Sequence, residues 1–248
     1  MARHQLRSTT LWLFLVLIMV ALGLGVTVRQ QYLGYLKSQE LSPTEVRLKK
    51  ASPPLPAPVT SASLPLTVSI NAPFTVQAPL GRWDALHEEA CEEASLQMVV
   101  HYKNDQPFSS SVATESEIQQ LVKWETDNHY EEDLTVVQLQ KVAADQYGLK
   151  SRVVNNPTII DIKQAIAAKH LVVVPVAGQV LANPHFTPPG PVYHMLVIRG
   201  YTQTEFITND PGTKFGENYQ YTFSHLLESV HDWNPNNILN GPKKVLVF

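Results

Sequence analysis

Partway along this chain the spacing of apolar residues changes, and that change narrows the folds open to it. From Cys91 to Lys169 the apolar positions recur at helical intervals, with helices predicted from Cys91, over Glu115–Asn128, over Thr135–Tyr147 and over Pro157–Lys169. Gly148 is a natural stop for the third, and Pro157 a natural start for the fourth. One short strand, Ser151–Val154, interrupts this half. From Leu171 onward the runs are short and strand-like: Leu171–Val176, His194–Tyr201, Glu205–Asp210 and Lys243–Phe248. Helices followed by strands predict an α+β domain and argue against a doubly wound α/β sheet.

The domain is expected over residues 66–248, with Leu66–Ile70 as a first strand and an irregular segment from Asn71 to Asp84 leading into the Cys91 helix. Ahead of it the chain divides into three. Residues 1–10 are short and polar, and residues 11–28 form an apolar run long enough to read as a transmembrane signal-anchor. Gly23-Leu-Gly25 offers the alternative of a cleaved signal peptide. Residues 29–65 form a stalk and a Pro-rich linker (SPPLPAPVTSASLP) that holds no core. Arg3 and Arg7 bias the N-terminus toward the cytoplasm, which would make the domain extracytoplasmic, or secreted if the segment is cleaved. A net charge of -3 gives no footprint for nucleic acid.

Cys91 is the only cysteine in the chain, so no intrachain disulfide or Cys-rich metal site is open to it. It stands at the first turn of a predicted helix, where a thiolate is favoured. Ala94, Ser95, Met98 and Tyr102 share one face of that helix, and the neighbouring glutamates are expected mostly off it. A buried free cysteine also serves as plain core filler, and nearby carboxylates oppose a thiolate. A nucleophilic cysteine needs a base, a group to orient the base, and an oxyanion donor. His194 opens one strand and Asp210 ends the next, in the turn sequence Asn209-Asp210-Pro211-Gly212. A hairpin would bring these two ends together. Either residue alone is as well read as a core histidine or a plain turn.

Four ordered segments carry a resemblance: Val76-Gln77-Ala78-Pro79, Glu89-Ala90-Cys91-Glu92-Glu93-Ala94-Ser95, His194–Tyr201 and Asn209-Asp210-Pro211-Gly212-Thr213. Together they resemble family thirty-nine of the papain-like cysteine peptidases, in its stand-alone bacterial branch. The namesake enzymes cut double-glycine leaders from bacteriocin precursors. The resemblance implies a papain-like fold, Cys91 as nucleophile, His194 as general base, Asp210 as its orienting carboxylate and Gln77 as oxyanion donor. It implies a peptide or protein substrate and no cofactor. Where the family pattern has Gly-Pro after the nucleophile, this chain has Glu92-Glu93. It shows no ATP-binding segment, so an exporter role is not expected. Trp83 and His185, the latter in the long Gly178–Tyr193 loop, are expected to contact substrate. His87, His101, His129, His225 and His231 lack ligand spacing, so no metal site is expected.

Overall fold

The computed structural model describes residues 64–248. The signal-anchor, stalk and most of the linker expected above therefore lie outside the described residues, and among those that are described no helix is long and apolar enough to cross a membrane. The elements run β1 (Val68–Ser69), α1 (Ala85–Glu88), α2 (Cys91–Lys103), α3 (Ser111–Asp127), α4 (Val136–Tyr147), β2 (Arg152–Asn155), α5 (Ile159–Ala167), β3 (Val172–Ala177), α6 (Gly178–Leu181), β4 (Tyr193–Tyr201), β5 (Glu205–Asn209), β6 (Tyr219–Thr222), α7 (Phe223–Ser229) and β7 (Lys244–Val247). The seven strands form one antiparallel sheet in the order β2-β7-β3-β4-β5-β6, with β1 paired to the end of β4.

Local chemistry sets the helix boundaries. Ser110 accepts the Ala113 N–H and starts α3 a turn earlier than Glu115. Thr135 and Gln138 form a reciprocal capping box on α4, which Gly148 ends in the left-handed conformation at φ 64°. Thr158 and Asp161 cap α5 in the same way, so the hydroxyl, not Pro157, sets that start.

The core lies between the sheet and helices α2, α4 and α5. Its centre is β3 and β4, buried along their whole length. Two central strands buried on both faces explain the unbroken apolar runs LVVVPV and MLVI. Helix α2 lies against β4, where the Ser95 hydroxyl donates to the Met195 carbonyl at 3.2 Å. Every residue from Cys91 to Val100 is buried. Glu92 and Glu93, expected off the face of Ser95 and Met98, are buried as well, at 1% and 4% exposed. The helix is enclosed on all sides, so no solvent face remains to receive them.

Candidate active site

The β4–β5 hairpin supplies the first half of the site. Its register, Val197 opposite Asn209, carries the start of β4 past the end of β5. His194 Nε2 there donates to Asp210 Oδ1 at 2.7 Å, with both residues buried. Asp210 also accepts from the Gly212 N–H at 3.0 Å, Tyr221 Oη at 2.7 Å and Asn183 Nδ2 at 3.1 Å. Burial pushes its carboxyl up, but the His194 charge and the bonds from His194, Tyr221 and Gly212 outweigh this and hold it below its ordinary value. The His194 ring meets Phe186 edge-on at 5.1 Å. On another side lies Gly212, where a Cβ would come within 2.8 Å of His194 Cε1. With Nε2 engaged, Nδ1 is the ring nitrogen left to exchange a proton.

Cys91 is the first residue of α2, so its backbone N–H has no acceptor within the helix. Its Sγ takes a backbone hydrogen bond from Met195, one residue beyond His194. The helix start and the start of β4 are thereby adjacent. Cys91 Sγ and Glu92 Oε2 are hydrogen-bond partners at 2.8 Å, and no hydrogen bond joins the thiol to His194. Burial pushes the thiol well above its usual value, any charge on Glu92 or Glu93 adds to this, and the Met195 bond opposes it.

Gln77 approaches from the irregular segment ahead of α1. Its backbone N–H donates to the Pro211 carbonyl at 3.0 Å, tying that segment to the Asp210 turn. Its Nε2 donates to the carbonyls of His87 at 2.8 Å and Glu88 at 3.1 Å, while Oε1 is buried without a partner. Any donation to an oxyanion requires one of these amide hydrogens to leave its carbonyl. The His87 segment is itself pinned: the buried ring lies between Asp84 Oδ1 at 2.6 Å from Nδ1 and Glu115 Oε1 at 2.9 Å from Nε2. Among the described residues, no group of three or more His, Cys, Asp and Glu side chains is placed to hold a metal ion.

Gln77 and His194 line a cleft of about 880 Å³ together with Trp83, Glu88, Glu89, His185 and Phe186. Trp83 is half exposed, as a contact residue requires, and His185 packs on Phe215 with centroids 4.7 Å apart. Cys91 does not line the cleft; only 4% of it is exposed.

Behind Cys91 lies a group of carboxyls. Glu93 and Glu125 hydrogen-bond to each other, which requires a proton on one of them. Burial, then the Glu93 charge, pushes Glu125 up to about 11, and burial with neighbouring glutamates pushes Asp133 up to about 6. An acid whose folded value is raised contributes stability fully below its unfolded value and loses it as pH rises toward the folded one. The melting temperature is therefore expected to fall between about pH 5 and about pH 9. Glu125→Gln is expected to flatten that fall and to stabilise the protein by about 1–3 kcal/mol at the alkaline end, as read by thermal melts across pH.

Asn183, Tyr221 and His87 have no signal in the sequence. Asn183 and Tyr221 reach Asp210 only through the chain's return after α6 and through β5–β6 pairing, where Phe206 faces Tyr221.

Residues 69–237 match the sequence model of the Peptidase_C39 like family. No curated protein matches the chain. Among solved structures, one described as a candidate C39-like peptidase from Bacillus anthracis aligns at 14% identity with a TM-score of 0.49, covering 73% of this chain and 96% of that one. The family match spans well over half of the sequence, from β1 through the Cys91 helix and the β4–β5 hairpin, and the chain belongs to the Peptidase_C39 like family as a cysteine-peptidase-type domain of mixed helix and antiparallel sheet.

Proposed function

We propose that this protein is a cysteine peptidase that hydrolyses peptide bonds, with Cys91 as nucleophile, His194 as base and acid, and Asp210 as the carboxylate that orients His194. The observation that carries the reading is the buried 2.7 Å His194–Asp210 bond beside the start of the cysteine-bearing helix. In the reaction the Cys91 proton passes to His194 Nδ1 and the sulfur attacks the peptide carbonyl. The oxyanion meets the Cys91 backbone N–H and the Gln77 amide, once a hydrogen of that amide leaves its carbonyl. The His194 imidazolium protonates the leaving amine, and water, deprotonated by the same ring, then releases the acyl group. Trp83 and His185, both lining the cleft, contact the substrate. The domain works outside the cytoplasm, held to the membrane by residues 11–28.

A second reading, a peptide-binding module of the same fold, is favoured by one observation: the thiol rests on Glu92 and not on His194. The experiment that separates the two is a cleavage screen on peptide libraries and on cell-wall fragments, with Cys91→Ser as the blank. Cleavage of peptides by the wild type alone supports the peptidase. Binding without cleavage supports the module, cleavage of wall fragments alone points to an amidase, and equal cleavage by Cys91→Ser rules out the thiol mechanism.

A further inference from the structure

Glu92 is buried against the nucleophile, and its two carboxyl oxygens are not equivalent. Oε1 accepts the Leu134 backbone N–H at 3.1 Å, and Oε2 lies 2.8 Å from Cys91 Sγ. A backbone N–H can only donate, and the carbonyl-type oxygen of a carboxylic acid is the better acceptor, so a proton on this carboxyl is favoured on Oε2, facing sulfur. The separation fixes the two partners and leaves open which of them carries the hydrogen.

The surroundings decide that. Cys91 and Glu93 lie beside Glu92 on its own helix, Asp133 faces it from the loop before α4, Glu125 from α3 and Tyr193 from β4. All are acids. The Tyr193 hydroxyl donates to the Leu134 carbonyl, and Asp232, behind Tyr193, has Lys244 at 3.7 Å. Among the described residues no lysine, arginine or histidine forms an ion pair with Glu92. A buried carboxyl among acids, with no cation, takes its uncharged form. Burial, then the Glu93 charge, pushes it well above the usual carboxylate range.

We propose that Glu92 is a further catalytic residue: an uncharged carboxylic acid whose Oε2–H donates to Cys91 Sγ and stabilises the attacking thiolate. This rests on the cysteine-peptidase reading. The thiol's own proton goes to His194 Nδ1, and Glu92 keeps its proton throughout, lending only a hydrogen bond. Met195 and Glu92 then supply two donors to the thiolate. When sulfur becomes part of the acyl-enzyme its negative charge is gone and the Glu92 bond weakens. The glutamate beside the nucleophile thereby assists the thiol in place of opposing it.

The test is the pH dependence of iodoacetamide alkylation of the full chain, where Cys91 is the only thiol to be labelled. In Glu92→Gln, the Leu134 N–H holds Oε1 and turns the amide N–H toward sulfur, so the neutral-pH rate is expected to stay within about threefold of wild type. Glu92→Met has similar length and no donor. Its rate is expected to fall about tenfold, with the thiol titrating about one unit higher, the effect of losing one hydrogen bond to a charged group. Acceleration in either variant, as removal of a carboxylate would cause, overturns the proposal. So does a Glu92→Met titration that matches wild type. His194→Ala, run alongside, separates this from the function itself. If it leaves alkylation unchanged while the Glu92 variants behave as stated, the thiol pair stands and the peptidase reading fails.

Discussion

Cys91→Ala is expected to bring peptide cleavage down to background, and His194→Ala to lower kcat/KM by about 10³-fold or more. In the proposed mechanism Cys91→Ala removes the atom that bonds to substrate. His194→Ala leaves a thiol whose proton has no acceptor, because Glu92 is among acids and Met195 offers only a backbone donor. The residual rate would come from binding and oxyanion contacts alone. Because the two residues act as one unit, the double variant is expected to be no worse than Cys91→Ala. Initial rates on a peptide found by the library screen, measured for all four proteins, check this.

The second large effect falls on stability as well as chemistry. Asp210 is fully buried and accepts from His194, Tyr221, Asn183 and Gly212. Asp210→Ala would leave a buried imidazole, a hydroxyl and an amide without their acceptor. Breaking a buried pair in this way costs on the order of 3–5 kcal/mol. For a domain of this size that is a fall in melting temperature of about 10 °C or more. Asp210→Asn retains an acceptor oxygen for His194 and is expected to fold with a much smaller loss. Its neutral side chain no longer stabilises the imidazolium, so activity is expected to drop well beyond the change in stability. Thermal melts beside rate measurements distinguish the two losses. Asp210 is held below its ordinary value, so its contribution is present at neutral pH and is lost only as pH falls below the carboxylate range, opposite in sign to Glu125 and Asp133.

Much of the fold was legible because its local signals agree with its tertiary structure. Thr135, Gln138 and Gly148 bound α4 where the pattern places it, and the apolar runs of β3 and β4 mark the centre of the sheet. The meeting of His194 and Asp210 followed from hairpin geometry alone. Other features depend on contacts remote in sequence. The strand Tyr219–Thr222 is four residues long on the sheet's edge and half exposed, so its pattern carries little signal. Asn183 and Tyr221 are 38 residues apart in sequence, yet the Asn183 amide donates to the Tyr221 hydroxyl at 2.7 Å and both reach Asp210. Glu92 and Glu93 run against the rule that charged side chains face water. Their burial depends on the Leu134 N–H from the loop before α4 and on Glu125 from α3, neither visible from the helix's own spacing. The same two residues separate this chain from the Gly-Pro of the family pattern, and the first of them, Glu92, is the side-chain hydrogen-bond partner of Cys91.

Activation of Cys91 by His194 can be measured without a substrate. The alkylation rate of Cys91 is followed across pH in the wild type and in His194→Ala. The wild-type thiol is expected to titrate lower and react faster than that of His194→Ala, because the imidazolium offsets part of the upward push of burial. A titration that is the same in both proteins would contradict this and leave a binding module on a peptidase fold.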